Sequence, residues 1–341
     1  MHITRRGAIF GAGASLAACS QSPAPVTSHP AGCWKAAPSL PFAVQEIYPA
    51  AHVGRIHIAG GLLSDGVRVT GVSDRHIAYD PATGETETLT PLPQRRHHPY
   101  AVSHKGRLFL LGGFNSDPDR VTWIMQSETL AWSPRQWNTF APAPGPHAET
   151  VAASISDRIH IVGGRKPKGL ANAAYGDHED TDRHLVFDFS ANSWNTAAPA
   201  LSARNSAAGA IIGDLWHVVG GRHVTDGPSD AHEVYDVRED RWRTAAPMPK
   251  GSGAGGNAAV TLGGALYAFG GEYFENGGKV HAEVWRYDPK ADAWTAAAPM
   301  PTPRHGLGAV VIGDAAWLVG GAKRPSGSET SNAVERFSLT C

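Results

Sequence analysis

The amino-acid sequence predicts an all-β fold, a β-propeller built of four-stranded blades, and three observations carry that prediction. An apolar run ending in Gly-Gly occurs six times, with first glycines at 60, 112, 163, 220, 270 and 320. A repeat near 50 residues with strand-like content marks the blades of a propeller. Downstream of the pairs, an aromatic residue is followed seven places later by Trp. Phe187 and Trp194, Tyr235 and Trp242, and Tyr287 and Trp294 keep the spacing, while Leu130 with Trp137 and Tyr79 with Thr86 are degraded copies. Finally, 39 Gly and 25 Pro without a long helix-period stretch describe a turn-dense chain.

In chain order, Thr4-Arg5-Arg6-Gly7-Ala8-Ile9 looks like a partial twin-arginine export motif, lacking the bulky pair that usually follows. The weakly apolar stretch from Ala8 to Ala18 is too short and too rich in Gly and Ala to span a bilayer as a helix. It ends in Leu16-Ala17-Ala18-Cys19, which resembles a bacterial lipobox with cleavage before Cys19 and acylation of its sulfur. The alternative is an ordinary cleaved signal with Cys19 lost or unmodified. Residues 1–19 are therefore expected to be an export signal, residues 20–32 a flexible tether and residues 33–341 the propeller. The expected location is periplasmic or cell-surface, as a membrane-anchored lipoprotein. A net charge of −1 selects neither nucleic acid nor an acidic surface.

Within a blade, the first strand lines the channel and is rich in small residues, as in Ser206-Ala207-Ala208-Gly209-Ala210. The second strand is the Gly-Gly run, where a Cβ would obstruct a φ > 0 bend or a neighbouring backbone. The third carries the aromatic residue, and the fourth the Trp, whose ring should pack between blades. On these residues, nearly everything after residue 33 resembles the kelch repeat family, and the resemblance implies a six-bladed β-propeller. The last repeat stops at a third strand, Phe337-Ser338-Leu339-Thr340-Cys341, and the missing fourth strand occurs at the other end as Cys33-Trp34-Lys35-Ala36-Ala37. The N-terminal segment should therefore complete blade six. With Cys19 lipidated, Cys33 and Cys341 remain at the tip of one hairpin, and a disulfide is expected between them.

Two sets of connections, fourth strand to next first and second strand to third, reach the same rim. Sixteen residues before the first glycines stand Val44, Arg96, His147, Arg204, Ala254 and Arg304. Arg96, His147, Arg204 and Arg304 would form an electropositive ring for a carboxylate or phosphate, or else brace neighbouring loops. Directly after the glycine pairs stand Leu62, Phe114, Arg165, Arg222, Glu272 and Ala322. Arg165, Arg222 and Glu272, with Tyr273, give one side of the rim bases, an acid and an aromatic surface. A long connection from Arg165 to Arg183 contains Asp177-His178-Glu179-Asp180-Thr181-Asp182, read as a solvated acidic loop in preference to a divalent-metal site. Of the 17 histidines, His57, His160 and His217 replace aromatics on buried second strands, and the others show no zinc-site spacing. No metal or cofactor is expected.

Resemblance within the same architecture bears on chemistry. The copper and Tyr–Cys crosslink of galactose oxidase find no free cysteine here. The bacterial periplasmic sialate mutarotases resemble this chain at Gly271-Glu272; their mouth uses a Glu after a Gly and a nearby Arg to open and reclose a hemiacetal. Lys279 stands where that Arg is sought. The expected function is binding of an anionic saccharide or a partner protein at the channel mouth, with Arg96, His147, Arg165, Arg204, Arg222, Tyr273 and Arg304 as contacts. The alternative is an enzyme, a mutarotase or epimerase of a carboxylated sugar with Glu272 as acid–base. Membrane contact is expected through the lipid anchor only, and no nucleic-acid partner is expected.

Overall fold

The computed structural model describes residues 32–117 and 120–341, so the expected export signal, Cys19 and residues 20–31 of the tether lie outside the described residues. Six four-stranded antiparallel sheets form the blades. In blade 4, Ala208–Ile212, Leu215–Val219, His232–Asp236 and Arg241–Thr244 pair successively from the channel outward. The innermost strands touch one another in chain order. Gly308–Ile312 of blade 6 returns to Ala50–His52 of blade 1 and closes the ring. Small residues are needed where six strands converge: a Cβ on Gly209 would lie 2.6 Å from Val151 Cγ1 of the preceding blade.

The Gly-Gly pairs are inter-blade clasps. All twelve glycines have positive φ, between 52° and 101°. The second N–H of each pair donates to a carbonyl of the next blade: Gly61 to Arg96, Gly113 to His147, Gly164 to Arg204, Gly221 to Ala254, Gly271 to Arg304 and Gly321 to Val44, at 2.8–3.0 Å. The backbone approaches leave no room for a side chain, and a Cβ on Gly270 would sit 2.1 Å from the Arg304 carbonyl oxygen.

The outer tryptophans join neighbouring blades. Trp137, Trp194, Trp242, Trp294 and Trp34 each donate their indole N–H to a carbonyl of the preceding blade, on Thr90, Ala141, Ala198, Ala246 and Ala298, at 2.8–3.1 Å. Phe187, Tyr235 and Tyr287 lie opposite Trp194, Trp242 and Trp294, as the seven-residue spacing predicts. Blade 2 differs: Trp137 lies opposite Trp132 and not Leu130, because Ser133 and Gln136 close a tighter hairpin.

His57, His160 and His217 are core groups, and each bonds a second histidine on the third strand. The pairs are His57–His76 at 3.0 Å, His160–His184 at 2.9 Å and His217–His232 at 2.8 Å. Burial lowers the first of each pair to about 3 and the second to about 4, so all six rings are neutral.

Blade 6 is completed by Cys33–Ala37, which pairs antiparallel with Val334–Ser338 and places Trp34 opposite Phe337. A disulfide joins Cys33 to Cys341, with Cα atoms 5.5 Å apart.

Candidate functional site

The channel mouth is built from two registers of the repeat. Fourteen residues before each first glycine stand Glu46, His98, Glu149, Ser206, Gly256 and Gly306, all with φ between 52° and 66°. Their backbones form a collar: His98 N–H donates to Glu46, Glu46 to Gly306, Gly306 to Gly256, Gly256 to Ser206, and Ser206 to Glu149, at 2.7–3.1 Å. Holding Glu46, His98 and Glu149 in the left-handed region carries a local cost of about 1–3 kcal/mol each, of the kind that clusters at functional sites. The second register is the residue after each glycine pair. Arg165, Arg222 and Glu272 pair through backbone with Ala148, Asn205 and Gly255, which immediately precede collar positions. Each of these three side chains is thereby set beside the collar.

Of these residues, Glu46, His98, Arg222 and Glu272 line a pocket of about 540 Å³. Arg222 lies across Gly255, where a Cβ would meet its Cδ at 2.7 Å, and donates through Nη1 to Glu272 Oε1 at 2.8 Å. Glu272 Oε2 accepts the Ser326 N–H at 2.8 Å, and His305 Nε2 stands 3.4 Å from it. Glu46 Oε2 is 2.9 Å from His98 Nε2. His98 Nδ1 meets His97 Nδ1 at 2.7 Å, and His97 donates its other N–H to the Thr122 carbonyl. Both nitrogens of His98 thus face acceptors. Ser206 Oγ donates to Glu149 Oε2 at 2.9 Å, and Arg165 Nη1 lies 3.8 Å from Glu149 Oε1.

The electrostatics follow from this geometry. Burial pushes the Glu46 carboxyl up, but His98, His305 and Arg222 outweigh it and hold the group at about 2. Glu149 is likewise held low against its burial by Arg165, His98 and Arg222. Burial alone would lower Arg222, yet Glu149 and Glu272 raise it above its ordinary value. Three carboxylates therefore face two guanidiniums around the His98 ring.

Apolar groups wall the pocket. Val69, Val121, Trp123, Tyr175 and Phe274 come from connections in blades 1, 2, 3 and 5. The long blade-3 connection serves to place Tyr175, whose ring lies 3.7 Å from the Arg165 guanidinium carbon and 5.2 Å, edge-on, from Trp123. Its acidic residues brace the loop: Asp177 accepts from Ala173 and Ala174, Glu179 pairs with Lys166, and Asp180 accepts from Asn205 and Val224.

The residues singled out from sequence separate into two groups. Arg222 and Glu272 meet at the mouth, whereas Arg165, expected as a ligand contact, is fully buried against Tyr175 and Glu149 outside the pocket lining. Arg96, His147, Arg204 and Arg304 do not form the expected ring, because each turns into a blade and is at most 3% exposed. Arg96, Arg204 and Arg304 donate to the carbonyl of their own blade's first glycine, Gly112, Gly220 and Gly320, and pair with Glu128, Glu233 and Glu335. Burial holds the His147 ring down at about 4. Tyr273 packs on His281, 5.2 Å between centroids, outside the pocket lining. Lys279 is exposed beside Glu283 and is no partner of Glu272; Arg222 takes that place. Sequence reasoning missed Glu46 and Glu149, and set His98 at the mouth aside as showing no zinc-site spacing. Their signal was available in the glycines at two of six equivalent positions, Gly256 and Gly306, which mark left-handed backbone. Trp123 and Phe274 lie in connections outside the repeat and left no such mark.

Comparison with known proteins follows the architecture. The family model described as the KLHDC2/KLHL20/DRC7 Kelch-repeats domain matches residues 50–271, and the Kelch motif matches residues 254–301. Kelch-like protein terF of Aspergillus terreus (strain NIH 2624 / FGSC A1156) is 25% identical over 86% of this chain and 65% of its own length. Beta-scruin of Limulus polyphemus is 30% identical over 67% of this chain and 25% of its own length. The chain thus spans two-thirds or less of these relatives. The solved structure of YjhT superposes with a TM-score of 0.72 at 16% identity, covering 87% of this chain and 95% of that one, which is a likeness of fold.

Proposed function

The chain belongs to the kelch-repeat family, and on that premise we propose that it binds a small carboxylated saccharide in the pocket at its channel mouth. One observation carries the reading: a pocket of about 540 Å³ sets the Arg222 guanidinium in its floor below Trp123, Tyr175 and Phe274. Among the described residues, Nη1 and Nε of Arg222 are engaged by Glu272 and Asn205, while Nη2 makes no hydrogen bond. A guanidinium supplies a directed donor for a carboxylate, and aromatic walls stack on the apolar faces of sugar rings. Kelch proteins generally bind protein partners, and the rim loops of this chain are the surface that such a partner would use.

A thermal-shift screen against neutral sugars and sugar acids tests the proposal. A ligand at 100 times its Kd adds about 2.7 kcal/mol of stability. The expected result is a rise in Tm with carboxylated sugars alone, absent from Arg222→Ala. No shift with any sugar would turn the assignment to protein partners.

A second reading has its own observation. Glu272 is buried, ordered by Arg222 and Ser326, and close to His305. A carboxylate so placed serves as acid–base for opening and closing a sugar hemiacetal. As an enzyme, the chain would exchange anomers of the bound sugar in NMR, and Glu272→Gln would abolish exchange while retaining binding. Export and lipidation at Cys19 complete the proposal, and loss of the mass of a diacylglyceryl modification in Cys19→Ala would test them.

A further inference from the structure

We propose that Glu46, Glu272 and His305 form a binding site for one divalent cation of the zinc class on the pocket floor. Ligand atoms of the three residues lie within 4.8 Å of one another, and all three residues are buried. The inference deepens the reading of this pocket as a ligand site, but it stands on separate atoms.

The His305 side chain is 1% exposed. Its Nε2 lies 2.9 Å from the Arg324 carbonyl, which only accepts, and 3.4 Å from Glu272 Oε2, so Nε2 carries a proton. Nδ1 is left to hold either a second proton or a metal ion. That nitrogen is buried without a hydrogen-bond partner and faces Glu46 Oε1 at 3.6 Å. Two acceptors opposed in a buried site repel unless a cation stands between them. A proton fits poorly, because an N–H···O bond brings its heavy atoms to about 2.7–3.2 Å. A tetrahedral ion fits better. Ligands about 2.1 Å from zinc stand about 3.4 Å apart along a tetrahedron edge.

The surroundings have the form of a metal site's outer shell. A ligating histidine characteristically donates its other N–H to a carbonyl, as His305 does to Arg324. Glu46 is oriented by His98 through its second oxygen, and Glu272 by Arg222 and the Ser326 N–H. Imidazole with carboxylates suits zinc. Three protein ligands leave a fourth position toward the pocket, the arrangement of sites that take water or substrate. The consequence bears on ligand choice. Three carboxylates stand against two guanidiniums here, and a divalent ion would shift that balance toward an anionic ligand.

The experiment is calorimetric titration of zinc into the chelator-treated full chain at neutral pH, paired with cobalt absorption. One equivalent is expected to bind, with a tetrahedral cobalt band. Glu46→Gln and His305→Gln should each weaken binding at least tenfold, while His223→Ala leaves it unchanged. Anomalous diffraction at the zinc edge from wild-type crystals keeps the test independent of whether the variants fold. A peak within about 2.3 Å of His305 and Glu46 is expected. Absence of zinc uptake, wild-type affinity in both variants, or anomalous peaks at other histidines alone would overturn the site. Zinc failure with sugar stabilisation intact removes this inference and leaves the saccharide reading standing. Sugar failure with zinc binding intact does the reverse.

Discussion

At the residue scale, the same left-handed backbone has two different costs. Gly213 and Gly270 have φ of 61° and 60°, yet nothing lies within 4 Å of a Cβ on Gly213, while one on Gly270 would meet the Arg304 carbonyl oxygen at 2.1 Å. Gly213→Ala therefore isolates the backbone penalty, about 1 kcal/mol. Gly270→Ala adds displacement of an inter-blade clasp and should cost about 3 kcal/mol or more in urea unfolding. Equal losses at the two positions would contradict the clasp. The same scale explains a sequence reading that the structure revised. Arg96, Arg204 and Arg304 share a register with the mouth, but register does not say which way a side chain turns. Here each turns to the carbonyl of its own blade's glycine and a glutamate, Glu128, Glu233 or Glu335.

At the element scale, second and third strands of blades 1, 3 and 4 are joined by neutral histidine pairs, which link stability to pH. Burial lowers these rings from 6.5 to about 3 or 4. The unfolded chain thus binds more protons than the native one between those values, and native stability rises with pH across that window. The contribution is complete above about pH 6.5 and is lost as pH falls toward 4. The urea midpoint should decline steeply between pH 7 and pH 4.5, and less steeply in a His160→Phe, His184→Leu variant. A midpoint flat across that range would contradict buried neutral pairs. The strands themselves were legible because the repeat writes one set of constraints six times, in Gly-Gly turns and cross-strand aromatics. Blade 2 was misregistered for a local reason: its third-to-fourth turn is shorter, and Trp132 takes the place opposite Trp137.

At the scale of the whole molecule, closure depends on the two chain ends. Cys33–Cys341 spans 308 residues of sequence and staples the strand that completes blade 6. In the chain-entropy view such a bond is worth about 6 kcal/mol, so reduction should lower Tm clearly, and Cys33→Ala should match the reduced protein. An unchanged Tm after thiol titration confirms reduction would contradict the staple. Closure also explains why the mouth was only partly legible. Glu46 belongs to blade 1's entry and His305 to blade 6's, and only ring closure brings them within 3.6 Å. Arg222 and Glu272 were readable as an asymmetry after the glycine pairs; their meeting depends on Gly255 leaving room for the arginine. The central claim is that ligand binding belongs to Arg222 and bracing to Arg204. The direct test is calorimetric titration of a sugar acid into the wild type, Arg222→Met and Arg204→Met, with a melt of each. The account predicts that folded Arg222→Met loses binding, whereas Arg204→Met loses Tm and keeps its Kd. Loss of affinity in Arg204→Met with full binding in Arg222→Met would contradict it.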